Sequence, residues 1–432
     1  MGNNIITSTL SNVCLQEKGS IISGPFGSNI SRKFFVDFGV PVIRGNNLNT
    51  GLDNFNDHGF VFITKEKANE LKCDALRGDV IFTAAGTIGQ VGYVPYDSKY
   101  TRYTISNKQI RARLDTTKID LLYAYYWLSG PWIFKLLNSN NKGSTVPLLT
   151  LSEVKNLPIH YPQDLNKQKM IGQLLDKMTQ KINNNKKIIS NLESLAKTIY
   201  DYWFLQFEFP NEEGKPYKSS GGKMVWNDEL KREIPEGWNA DRLCSQYEAQ
   251  SGYAFKSKDW KENGKNVLTI KCIEENGNVN FSESSYIEEN YDKKLDKYTA
   301  TNGNLIFAMS GNTIGKIGII ASKDDKVLIN QRVLILKTSF NSVALTYFFL
   351  KCEEVQNIIR KLGANSAQPN ISEVELGKIK LAIPNNDLIK IFNRKCEPYF
   401  RAIVSLRIQN QQLTELRDFL LPMLMNGQVT FK

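Results

Sequence analysis

Histidine is nearly absent, with His58 and His160 the only two in 432 residues, and the six cysteines never form a Cys-x-x-Cys pair. A zinc site assembled from Cys and His is therefore not expected, and the thiols read as reduced cytosolic cysteines. Long apolar runs are also missing. The nearest candidate, residues 121–137, is interrupted by Ser129, Gly130 and Pro131 and falls short of the roughly 20 residues that a bilayer requires; it reads as one buried helix. The N-terminus lacks the basic segment, apolar run and small-residue cleavage site of a secretory signal, so a cytoplasmic location is expected. No five consecutive Lys or Arg occur, and the net charge of +11, from 55 Lys+Arg against 44 Asp+Glu, is scattered. Such a balance fits either a polyanionic partner such as DNA or RNA, or a solvated surface that happens to be basic.

Catalytic motifs are lacking as well. There is no Asn-Pro-Pro-aromatic run to grip an amino group for methyl transfer, no Gly-x-Gly-x-x-Gly after a strand and no His-Glu-x-x-His. Gly311-Asn-Thr-Ile-Gly-Lys316 imitates a phosphate loop, but it has three residues between its glycines instead of four and Ile317 in the Ser/Thr place. No metal site and no bound cofactor are expected in this chain.

What is present is a duplication. Gly78-Asp-Val-Ile-Phe-Thr-Ala-Ala-Gly-Thr-Ile-Gly returns as Gly303-Asn-Leu-Ile-Phe-Ala-Met-Ser-Gly-Asn-Thr-Ile-Gly, with one inserted residue. The flanks repeat in order: Val42-Ile-Arg-Gly with Leu268-Thr-Ile-Lys, Asn107-Lys-Gln-Ile with Asn330-Gln-Arg-Val, and Ser152-Glu-Val with Ser372-Glu-Val. An offset of about half the chain marks a tandem copy of one large unit, where a solenoid would repeat every 20–50 residues. The runs Val80-Ile-Phe-Thr and Leu305-Ile-Phe-Ala are strand-forming, and the small residues after them suit a tight turn. That turn is either a hairpin of the fold or a loop whose N–H and hydroxyl groups meet a phosphate backbone.

Each copy ends in a helical pattern with the 3.5-residue spacing of a coiled-coil seam. The first seam runs Ile171, Leu175, Met178, Ile182, Asn185, Ile189, Leu192, Ala196, Ile199, Trp203, and the second Phe392, Cys396, Tyr399, Ile403, Leu406, Asn410, Leu413, Arg417, Leu420, Leu424. Two such helices in one chain most simply pair with each other, and the alternative is that each packs on its own domain. Paired antiparallel, they bring Asn185 and Asn410 together at mid-seam, where a buried Asn pair fixes register at a cost in stability. Between the copies, Pro210-Asn-Glu-Glu-Gly-Lys-Pro-Tyr and the residues up to Trp238 read as a linker with turns, ordered by Tyr217 and Trp226.

Arg and Lys suit guanine edges, Asn and Gln suit adenine edges, and all four also bind phosphate. On that basis the DNA-contacting candidates in the first copy are Ser28, Asn29, Arg32, Lys33, Arg44, Asn46, Asn47, Thr87, Asn107, Lys108 and Gln109, with Asn141 and Lys142 in the polar stretch 140–145. In the second they are Tyr253, Lys256, Lys258, Lys271, Asn312, Asn330, Gln331, Arg332, Asn365 and Gln368.

The ordered features resemble the specificity subunits of type I restriction-modification systems over nearly the whole chain. The repeated Gly-Asp-Val-Ile-Phe segment carries the likeness, together with Gln168-Lys-Met-Ile-Gly, the stretch Leu192-Glu-Ser-Leu-Ala-Lys, the linker's Ile234-Pro-Glu-Gly-Trp and the closing Leu416-Arg-Asp-Phe-Leu-Leu-Pro-Met. The resemblance implies an α+β (mixed) fold: two pseudo-repeated globular target-recognition domains, at 1–162 and 239–385, each followed by a long helix, at 163–207 and 386–426, with a linker at 208–238. It implies that the helices form an antiparallel coiled coil on which two methyltransferase subunits dock, that restriction subunits join, and that the chain is not itself an enzyme. Double-stranded DNA would be bound at a bipartite site, and S-adenosylmethionine, ATP and Mg²⁺ would belong to the partner subunits; the strong differences between the two copies outside the repeated segment point to different half-sites and an asymmetric target. The competing readings are a free-standing architectural protein that bridges DNA and a self-contained methyltransferase.

Overall fold

The computed structural model describes residues 5–49, 52, 55–139, 148–291, 295–324, 326–363 and 370–429. The chain divides into two compact units, the first comprising residues 1–181 with 413–432 and the second residues 182–412.

The β-prone runs of the first unit build two sheets. A four-stranded antiparallel sheet has the order Ile21–Ser23, Gln109–Ala112, Val80–Thr83, Val91–Tyr93. A five-stranded sheet has the order Phe35–Val36, Val61–Ile63, Val40–Ile43, Arg102–Ile105, Asp74–Leu76, with one parallel pair between Val40–Ile43 and Arg102–Ile105. Ile5–Thr9 and Pro158–Pro162 close the unit as a ribbon. The second unit repeats this plan. Its four-stranded sheet is Glu248–Ser251, Val333–Lys337, Leu305–Ala308, Ile317–Ile319; its five-stranded sheet is Trp260–Lys261, Ser285–Ile287, Lys265–Leu268, Val327–Ile329, Thr299–Ala300; its ribbon pairs Asn239–Arg242 with Lys380–Ile383. Even the single parallel pair recurs, between Lys265–Leu268 and Val327–Ile329. The duplication read from short motifs thus extends to the three sheets of each repeat.

The repeated motif is structural at its second position. Asp79 is buried, accepts the Leu76 N–H at 2.8 Å through Oδ2, and holds the Arg113 guanidinium through both oxygens at 2.8 Å. Asn304 does the same turn-closing work, accepting the Thr301 N–H at 2.9 Å and donating to the Thr338 carbonyl at 2.7 Å. Amide for carboxylate is tolerated there because, among the described residues, Asn304 is hydrogen-bonded to Thr301 and Thr338 and to no cation of the kind that Arg113 supplies to Asp79. Both turns that follow are hairpin connections, joining Val80–Thr83 to Val91–Tyr93 and Leu305–Ala308 to Ile317–Ile319.

Three expectations need correction. Residues 121–137 form two helices, Leu121–Leu128 and Pro131–Ser139, because Pro131 cannot donate to the preceding turn and restarts the helix at its first position. The Ser-Glu-Val match is out of register by two residues: capping boxes Thr150/Glu153 and Ser372/Glu375 begin the equivalent helices, so Thr150 is the counterpart of Ser372. A cap depends on the side chain that meets the first free N–H groups and tolerates a different tripeptide around it. Trp226 does not order the linker, being 61% exposed, whereas Tyr217 does, stacking on Phe209 at 4.6 Å and donating to the Lys223 carbonyl. That segment also contains an antiparallel hairpin, Met224–Asn227 with Arg232–Pro235.

The long helices span Leu165–Tyr200 and Asn386–Met425. Asp164 and Asn385 start them alike, accepting the N–H of Asn166 and of Leu388 at 2.9 Å. In the second unit they lie antiparallel: Asn185 meets Asn410, Glu193 meets Arg407, and Trp203 packs on Phe392. In the first, Thr179 faces Arg417, and Ile171 and Leu175 share a core with Leu421 and Leu424. Burial drifts from the 3.5 spacing, with Tyr200 and Phe400 buried where Ile199 and Tyr399 lie half-buried, as straight 3.6-residue helices require.

Candidate nucleic-acid interface

In the first unit the two sheets enclose a concavity of about 560 Å³ between the loops that follow Val40–Ile43, Val80–Thr83 and Arg102–Ile105. Six sequence candidates converge on it: Arg44, Asn46, Thr87, Asn107, Lys108 and Gln109. They converge because Gly24 lets two chain segments touch. A Cβ at that position would overlap the Ser106 carbonyl oxygen, and at the equivalent Gly252 it would overlap the carbonyl oxygens of Ile329 and Asn330. Glycine is therefore required where the polar segment at 106–109 is pressed against the strand beside it.

The wall of the concavity is fixed by its own hydrogen bonds. Thr83 donates from Oγ1 to Gln90 Oε1 at 2.8 Å, and Gln90 Nε2 donates to the Leu48 carbonyl at 2.9 Å. Arg44 Nη2 donates to the Gly59 carbonyl at 3.3 Å, while Arg44 Nε is buried without a hydrogen-bond partner among the described residues. Thr87, Asn107 and Lys108 are exposed, Thr87 at the hairpin tip and the other two at the rim. Thr83 and Gln90 escaped the sequence reading because their spacing is that of ordinary strand residues; only the hairpin shows that they face one another.

Two candidates are corrected by burial. Asn47 is wholly buried; its Oδ1 accepts the Arg44 N–H, and its Nδ2 donates to the carbonyls of Asn56 and His58 at 3.1 and 2.9 Å. It closes its own loop, leaving no polar atom for a ligand. Gln109 is 1% exposed and its Oε1 accepts the Ser106 hydroxyl, so it is part of the concavity's floor, with a buried Nε2 that has no partner among the described residues. Ser28, Asn29, Arg32 and Lys33 are exposed on the approach to Phe35 and do not line the concavity. Lys33 lies over the Phe34 ring at 4.9 Å, with Lys67 over the same ring at 4.1 Å.

In the second unit Tyr253 is bridged to Asn330 by backbone hydrogen bonds, which puts Tyr253, Asn330 and the exposed Gln331 and Arg332 side by side. Tyr253 also packs on Phe255 and Tyr298 at 4.9 and 5.1 Å. Lys256 and Lys258 are exposed on the neighbouring turn. Lys271 and Asn312 are exposed on two loops that meet, since a methyl on Gly311 would contact Ile270. Lys316, the imitation phosphate-loop lysine, is ion-paired with Glu275 at 2.9 Å. Asn141, Lys142, Asn365 and Gln368 lie outside the described residues.

Equivalent places carry different side chains: Gln109 against Arg332, Gln90 against Lys316, Thr83 against Ala308, and Phe38 against Asn263 before the matching Gly39 and Gly264. The framework is copied and the side chains set on it are not. No group of three or more His, Cys, Asp or Glu is placed to hold a metal among the described residues, and no helix there is long and apolar enough to cross a membrane.

A family described as type I restriction modification DNA specificity domain matches residues 9–194 and 235–390. The chain is 26% identical over 371 residues to the type I restriction enzyme MjaIX specificity subunit of Methanocaldococcus jannaschii, covering 82% of this chain and 78% of that one. It is 22% identical to the type I restriction enzyme HindI specificity subunit of Haemophilus influenzae, covering 94% and 98%. The crystal structure of a type I restriction-modification system S subunit from M. genitalium shares the fold, with TM-score 0.59 and 15% identity over 98% of this chain and 97% of that one.

Proposed function

Because the chain belongs to the type I restriction modification DNA specificity family, we propose that it is the sequence-reading, non-catalytic subunit of a type I restriction-modification complex. Each repeat reads one half of a bipartite site in double-stranded DNA. Residues 1–162 and 239–385 are the two reading domains. The helices at 163–207 and 386–426 dock two methyltransferase subunits, and restriction subunits join them in the full cytoplasmic complex. S-adenosylmethionine, ATP and Mg²⁺ serve the partner subunits.

The observation that carries this reading is the duplicated sheet framework bearing unlike polar residues at equivalent positions. Two frameworks of one design with different donors and acceptors select two different half-sites, so the target is asymmetric. In the first unit Arg44, Asn46, Thr87, Asn107 and Lys108 supply donors for phosphates and base edges; in the second, Tyr253, Lys256, Lys258, Lys271, Asn312, Asn330, Gln331 and Arg332 do so.

The test is co-expression with a methyltransferase partner in a host without adenine methylation, followed by long-read mapping of modified bases. A methylated bipartite motif that vanishes without this chain is the expected result. DNA binding without sequence preference and independent of the methyltransferase would instead establish an architectural, DNA-bridging role.

A further inference from the structure

Phe26 is, with Phe38, one of the two most exposed phenylalanines of the first unit, 84% exposed on a loop whose backbone is hydrogen-bonded on both sides of it. Gly24 N–H donates to the Gln109 carbonyl at 2.9 Å, Pro25 fixes the next φ, and Asn29 N–H donates to the Phe26 carbonyl at 2.8 Å. A methyl on Gly27 would lie 3.1 Å from Asn107 Nδ2, so the loop that presents the ring abuts the rim of the concavity. Exposing a phenylalanine forgoes its burial.

Its neighbours indicate what covers it. Ser28, Asn29 and Asn107 are exposed and polar and Lys108 is exposed and cationic, so the loop that carries the ring also presents hydrogen-bonding groups and abuts a positive charge. A protein-docking patch is ordinarily contiguous over a few hundred Å². A nucleobase step suits an exposed ring on such a loop: each base offers a π face for stacking, and its phosphates meet Lys108 and the polar groups beside it. The second unit has no equivalent. After Gly252 the chain runs Tyr253-Ala254-Phe255, and there Phe255 is buried, edge-on to Tyr253 and tilted against Trp260.

We propose that Phe26 is a stacking wedge that contacts an unstacked base step in the half-site read by the first repeat, a role the second repeat lacks. This rests on the DNA-reading function proposed above. The full chain, assembled with its methyltransferase partner, is tested on duplexes carrying the motif mapped for the unaltered complex, with 2-aminopurine placed singly along both half-sites. Expected is a fluorescence rise at one step of one half-site for the unaltered complex and for Phe26→Trp, and none for Phe26→Ala, which binds roughly 10-fold more weakly. The same rise and affinity with Phe26→Ala would overturn the wedge and leave the DNA-reading function standing. Loss of methyltransferase assembly in Phe26→Ala, seen by size-exclusion chromatography, would overturn it in favour of a protein-docking ring. Absence of any bound or methylated bipartite motif for the unaltered complex would remove the DNA-reading function itself, before any variant is compared.

Discussion

Asn185 donates from Nδ2 to Asn410 Oδ1 at 2.8 Å and to Gln409 Oε1 at 2.7 Å, linking the two long helices through residues near the middle of each. The pair is only partly satisfied, since Asn185 is wholly buried and its Oδ1 has no partner among the described residues. A pairing of this kind opposes sliding, because any other register leaves the buried Asn185 amide without its partners. Asn185→Leu with Asn410→Leu should therefore raise the melting temperature by a few degrees and broaden the set of registers trapped by cysteine crosslinks between the helices. Asn185→Leu alone should destabilise by about 1–3 kcal/mol, because Asn410 then loses its donor. An unchanged melting temperature and a single crosslinked register in the double variant would contradict this role.

Arg407 ties three segments of the second unit together, donating to Glu193 Oε1 and to the Gly277 carbonyl at 2.7 Å each. Removing one partner of a buried pair strands the other, so Arg407→Ala should cost roughly 3–5 kcal/mol in denaturant unfolding.

Glu193 adds a pH dependence. Burial pushes its carboxyl above the ordinary glutamate value, and Arg407 and then Lys351 only partly counter that. A folded state that holds a proton more tightly than the unfolded state is favoured at low pH. The contribution is full below the ordinary glutamate range and is lost as pH rises through the raised value. Glu193→Gln should remove this decline, giving a flatter stability profile between pH 4 and 8 in urea titrations; an identical slope in variant and parent would argue against it.

Asp79 and Asn304 make the same turn contact with unequal stakes. Asp79→Ala should cost about 3–5 kcal/mol because Arg113 loses its buried counter-charge. Asn304→Ala should cost about 1–3 kcal/mol, since hydrogen bonds alone are lost. Chemical denaturation of the two variants checks the order.

Exposed and buried candidates in the first unit should separate cleanly. Lys108→Ala should weaken DNA binding and lower the salt-dependence slope by about 1, the value for one phosphate contact. Asn47→Ala should lower the melting temperature and leave the methylated motif unchanged, because its amide is spent on Arg44, Asn56 and His58.

The duplication, the two long helices, the Asn at the middle of each seam and the absence of a catalytic motif are all written in local sequence, because strand propensity, seam spacing and turn glycines act over a few residues. Pairing between distant segments is not local, and there only the tertiary structure decides. Asn47 and Asn46 are neighbours of one residue type; one is wholly buried and the other exposed, since alternate turn positions face opposite ways. Gln109 reads as a polar surface residue until Val80–Thr83 and Ile21–Ser23 cover both edges of its strand. Phe26 passes for a core residue by type, and it is the backbone, pinned between Gly24 and Asn29, that turns it to solvent. Local chemistry determined which elements form and in what order; burial, which sums contributions from segments far apart in the chain, decided which polar groups remain free to meet DNA.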